Sequence, residues 1–275
     1  MVERAGQSAK ESSLRKYFMQ PVAKPSYGCA IAVLVCGAIV GLMSIAAAAG
    51  KSENAAAALI ITLFLLAPGT LWVYGLRAGY RRRAQEGEPK PPDEQVQSWL
   101  DEGVQRLVQH SRVALGLSED DGSFAAPLVI VAPVLWHTSG VSNEDLVWKR
   151  GADHLVRFGI YRITVIHLTP RHLGAFACDY NFLREVALNE RTDEYHYQDI
   201  VTVSTREQST SLTLPTGEKL TSAQQFMLSV SSGESISVTI DADQLRQMTG
   251  VDKLPETGAE KAVAAIRSQL RQKKG

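Results

Sequence analysis

RFGIYRITVIHLTPRHLGAFACDY, residues Arg157 to Tyr180, reads as two strands joined at a turn. Phe158 and Ile160, then Ile163, Val165 and His167, recur at the period of two that puts every second side chain on one face of a strand. Pro170-Arg171 punctuates the pattern, because proline fixes φ and has no N–H for a ladder. Leu173 to Tyr180 then resumes it. Further short strands are expected at Thr192–Gln198, Ile200–Thr205, Ser211–Leu214, Phe226–Val230 and Ser235–Ile240, with Gly217 and Ser232-Gly233 as turns. Upstream, Leu128 to Trp136 is an apolar run that Pro133 restricts to an edge or a short strand. A polar excursion, His137 to Asp153, separates it from the central pair. Ala259 to Gln272 places Ala262, Val263, Ile266 and Leu270 on one helical face and ends in basic residues, which suits the helix dipole. The reading is an α+β domain over residues 127–275, about seven antiparallel strands closed by a C-terminal helix.

Before that domain, Asp93 is placed to cap a helix over residues 93–117. Val96, Trp99, Leu100, Val104, Leu107, Val108, Ser111 and Leu115 fall at helical spacing, and Gly116 stands at its end. The loop that follows carries Glu119, Asp120 and Asp121 without the spacing of a calcium loop.

The strand order then a helix resembles the pleckstrin-homology-like plan, in which a helix plugs one open end of a bent, barrel-like sheet. YRITVIHLTPRHLGAF (Tyr161–Phe176) is similar to the strand–turn–strand of bacterial PH-like and GRAM-like domains, where a strand ends in a Thr-x-x-Arg-Leu type of turn. Here Thr169, Pro170, Arg171, His172 and Leu173 occupy it, with one extra residue between Arg and Leu. EYHYQDIVTVST (Glu194–Thr205) is similar to a later strand of those domains. The resemblance implies a binding or scaffolding module, and if a headgroup were bound Arg171 and His172 would be the contacts. It covers about residues 127–272, and the segments before Arg157 and around Asn181–Arg191 depart from the plan.

Two uncharged runs occupy residues 27–50 and 54–76, joined by Lys51-Ser52-Glu53-Asn54. Each exceeds the roughly 20 residues that a helix needs to cross a bilayer, so a transmembrane hairpin within residues 27–80 is expected. A cleaved signal peptide is the rival reading of the first run, but its core would be about 7–15 residues. The basic tail at residues 1–26 and the basic, proline-containing linker at residues 81–92 flank the hairpin. The positive-inside rule then implies a multi-pass inner-membrane protein with both termini cytoplasmic. Leu14, Tyr17, Phe18 and Val22 allow either a short interfacial helix or a disordered tail in the first segment. Gly37 and Gly41 form a GxxxG pair for helix packing, within the chain or between copies. Arg81, Arg82 and Arg83 are candidates for contact with anionic lipid.

Formal net charge is zero, but from Asp93 onward 18 Lys and Arg face 24 Asp and Glu, about −6. Nucleic acid is therefore not an expected partner, since phosphate binding needs clustered cations. Of the three cysteines only Cys178 lies in the domain, which excludes a disulfide framework there. Gly50-Lys51-Ser52 lacks the first glycine of a P-loop, and Ser13–Lys16 lacks the partners of an acyl-enzyme serine. His167, His172, Cys178 and Asp179 do not have metal-ligand spacing. No catalytic, cofactor or metal residue is assigned. The expectation is a non-enzymatic, membrane-anchored PH-like scaffold that binds lipids, a protein partner or a second copy of itself. The alternatives are a subunit of a membrane transport or envelope complex, or an enzyme with a scattered site near Asp179, Asp199 and His167.

Overall fold

The computed structural model describes residues 2–20, 23–48, 55–117 and 126–274, with the backbone alone for 2–7, 40, 44–45, 47–48 and 55–69. The Lys51–Asn54 connection and the acidic Glu119–Asp121 loop lie outside the described residues. The chain forms two compact units, residues 19–90 and a discontinuous unit of residues 1–18 with 91–275.

The smaller unit pairs α2 (Gly28–Ala48) with α3 (Ala55–Glu86). Ala30, Gly37 and Gly41 are buried, whereas Ile39, Leu42 and Met43 are more than half exposed. The spanning hairpin itself needs correction. Among the described residues no helix is long and apolar enough to cross a membrane. α3 runs on through Arg77, Arg81, Arg82 and Arg83 as one helix. The multi-pass, inner-membrane placement falls with it.

The larger unit begins with α1 (Val2–Phe18), so the N-terminal segment is a helix that ends before Pro21 and not a disordered tail. Leu14 and Tyr17 are fully buried in the same core as α4 (Asp93–Ala114). Each such side chain contributes roughly 1.5–3 kcal/mol by leaving water. Asp93 does not cap α4. Pro92 holds that position, and the Asp93 carboxylate accepts from the Tyr17 hydroxyl at 2.6 Å and the Ala152 N–H at 2.6 Å. The two segments of the larger unit are therefore tied to each other by the Tyr17–Asp93 bond.

β1 (Leu128–Pro133), β2 (Trp148–Arg150), β3 (Val156–Phe158), β4 (Ile160–Leu168), β5 (His172–Asn181) and β6 (Val186–His196) come first. β7 (Ile200–Thr213), β8 (Lys219–Val230), β9 (Ser235–Asp241), α5 (Asp243–Thr249) and α6 (Ala259–Lys274) follow. The strands form open antiparallel sheets, β1-β4-β5-β6 and β7-β8-β9, plus the separate pair β2-β3. This corrects the expected single barrel-like sheet of about seven strands. The polar excursion hides β2, because a strand as short as Trp148–Arg150 shows no period. β7 and β8 are also longer than expected: Thr205–Ser209, whose side chains are all polar, pair with Ser222–Phe226, since ladder bonds need only backbone.

Layering explains why β4 reads as nearly all apolar. One face of the first sheet meets α1 and α4 through Ile163, Val165, Phe176 and Tyr180. The other meets the second sheet and α6 through Ile166, Leu173, Phe226 and Ile266. A strand covered on both sides loses the polar half of its alternation. α4 lies close on the sheet because Gly103 sits against the Tyr180 ring and Gly174 sits beneath Leu115. The outer edge of β1 is covered by the segment before α6, with the Val131 N–H donating to the Thr257 carbonyl at 2.9 Å.

Candidate functional site

Polar clusters among the described residues of the larger unit include three closed ones and a fourth around Arg157. Asp145 accepts from Asn181 at 2.8 Å and Arg184 at 2.7 Å. Asp179 is held by Arg162 at 2.8 Å, Asn189 at 2.8 Å and Thr138 at 3.2 Å. Glu185, at φ 53°, receives Lys10 and Arg106, each at 2.6 Å. Burial would raise the Glu185 pKa, but these two cations hold it below the usual range. These carboxylates join α1, α4 and the β-hairpin turns.

The fourth cluster surrounds Arg157, which is only 3% exposed on β3. Its Nη1 and Nη2 donate to Asp153 at 3.1 and 2.6 Å, and Asp93 lies 3.9 Å away. The Nε–H has no partner. Burial opposes the guanidinium charge, yet Asp153 and its neighbours raise its pKa, so it stays charged. Burial likewise opposes the Asp93 carboxylate, whose pKa is nevertheless lowered by Tyr17 and Ala152. Arg157 lines an apolar cleft of about 210 Å³ walled by Leu100, Val104, Val131, Phe158, Tyr161 and Pro255. The Tyr161 hydroxyl accepts the Phe158 N–H at 2.9 Å, and burial pushes its pKa up to about 12. The cleft opens onto a groove of about 740 Å³ along the exposed face of α4, sharing Gln97, Asp101, Leu155 and Arg157 with it. No family model, curated protein or solved structure matches the chain.

The residues singled out from sequence do not gather here. Arg171, exposed, and His172, half-buried, stand at the β4–β5 turn, where the Thr169 hydroxyl organises both N–H groups at 3.2 and 2.9 Å. Arg81, Arg82 and Arg83 are exposed on α3 in the other unit. Asp179 and His167 are parted by five ladder steps, since Asp179 faces Arg162 and His167 faces Gly174, about 16 Å at 3.3 Å per residue. Among the described residues no group of His, Cys, Asp or Glu is set to hold a metal ion. Arg157 and Asp153 drew no attention in the sequence, where they stand in the polar excursion and at a strand end. The readable signal was an arginine within the short apolar run Val156–Phe158.

His167 has a buried partner that sequence reasoning missed, Ser111 of α4 at 2.8 Å. Both are almost wholly buried. The single Ser111 proton goes to the Val108 carbonyl at 2.8 Å, so the imidazole Nε2 must carry the hydrogen donated to Oγ. That is the reverse of a base activating a serine. Burial first, and Arg112 second, lower the His167 pKa from its ordinary 6.5. Its contribution to stability is therefore whole above pH 6.5 and is lost as pH falls from there toward the folded value. The slope from this one group is at most about 1.4 kcal/mol per pH unit. His167→Gln is expected to flatten urea midpoints between pH 7 and 5; an unchanged slope would place the proton uptake elsewhere.

Proposed function

We propose that the chain is a non-catalytic binding and scaffolding protein whose recognition surface is the α4 groove with its apolar cleft. One observation carries this reading: an apolar recess of about 210 Å³, walled by Leu100, Val104, Phe158 and Tyr161, lies beside the exposed face of α4 and shares Gln97, Asp101, Leu155 and Arg157 with the groove there. Neither Asp179 nor His167 presents a free base, which favours binding over chemistry.

The test places a photoreactive benzoylphenylalanine at Leu155, 49% exposed at the groove, and as control at Val113, 79% exposed on α4 outside it. Illumination of cells making the full-length chain is expected to give one discrete protein adduct from position 155 and none from 113. Gln97→Trp, which blocks the mouth of the cleft, should abolish the adduct. Equal labelling from both positions, or an adduct indifferent to Gln97→Trp, would sink the reading.

A further inference from the structure

We infer that the cleft's partner is a basic protein segment that inserts one large apolar side chain, an inference that rests on the binding role proposed above. Two observations on the same groove select this chemistry.

The first is charge. Glu94, Asp101 and Glu102 stand exposed along α4, while Asp153 across from them is paired with Arg157 and Lys10 lies 3.9 Å from Glu102. The cations of the groove, Arg106 and Arg157, are engaged with Glu185 and Asp153. The free field is negative, so a cationic segment gains attraction and an anionic one meets repulsion.

The second is shape. Glu94 to Gln109 rises about 22 Å along the helix at 1.5 Å per residue. An extended segment of about seven residues covers that length at roughly 3.3 Å each. The recess of about 210 Å³ opens at one place along it and has room for a single large side chain such as Phe or Leu.

The experiment measures fluorescence anisotropy of three labelled octapeptides with the full-length chain. One alternates Lys and Arg around a central Phe. The second replaces that Phe by Ser. The third keeps Phe and replaces each cation by Glu. The first peptide is expected to bind at least tenfold more tightly than either of the others, and to weaken as salt rises from 50 to 500 mM. Glu94→Lys with Asp101→Lys should weaken it at least tenfold, and so should Gln97→Trp. Unchanged circular dichroism melting of these variants separates loss of binding from loss of fold. Preferred binding of the Glu peptide that Gln97→Trp still blocks would overturn the basic partner while keeping the cleft as the binding surface. Binding that ignores Gln97→Trp would overturn both. Failure of the basic Phe peptide to bind at millimolar concentration would overturn the inference alone, because the crosslinking at Leu155 decides the cleft independently.

Discussion

Gly258→Ala is expected to destabilise the protein by about 2–5 kcal/mol, the sum of about 1–2 for a left-handed non-glycine residue and about 1–3 for overpacking. Gly258 sits at φ 82°, and an added Cβ would press on the Val129 carbonyl oxygen. That obstacle is backbone of a paired strand and has no rotamer into which it can retreat. The consequence reaches two places. The residues just before Gly258 cover the edge of β1 through Thr257, and those just after begin α6, whose Ala259, Ala262 and Ile266 fill the core between the sheets. Pro255, a wall of the cleft, is three residues away. The variant should therefore lose urea stability and weaken the Leu155 crosslink together. A control, Gly217→Ala, has a similar φ of 86° but open space around its Cβ, and should lose only the conformational part. Equal losses at the two positions would refute the contact with Val129 as the larger cause.

Arg157→Met is expected to cost about 3 kcal/mol. Removing one member of a buried ion pair leaves its partners charged and poorly solvated, which costs about 3–5 kcal/mol. The low end applies because Asp153 is 31% exposed and regains water, while Asp93, at 13%, keeps its bonds from Tyr17 and Ala152. Asp153→Asn in the same background should add little, since the carboxylate no longer has its guanidinium. A double-mutant cycle by urea denaturation checks this: additive losses would show that the two do not act as a pair. Arg157→Lys keeps the charge but not the two-pronged contact with Asp153, and should recover only part of the stability.

The strand–turn–strand at Arg157–Tyr180 was legible because a proline turn divides two apolar runs, and β4 and β5 form there. α4 and α6 were legible from spacing, each with a polar face to solvent. The candidate site was not. Its parts come from residues 97–104, 131–133, 155–161 and 255–256, four segments with no common motif. Arg157 looks like an ordinary surface cation until Asp153, Asp93 and Tyr17 close around it, and Tyr17 and Asp93 stand 76 positions apart.

By itself the sequence determined what depends on neighbours along the chain: the β4–β5 turn, the helical faces, the absence of a disulfide framework and the acidic balance after Asp93. Those properties follow from local sterics, periodicity and counting. Tertiary structure alone decided that α1 belongs to the larger unit, that the sheets stay open, and that Arg157 is a buried cation paired with Asp153. Burial and pairing are properties of what comes to lie opposite a residue. No spacing rule carries that information when the partners come from distant segments.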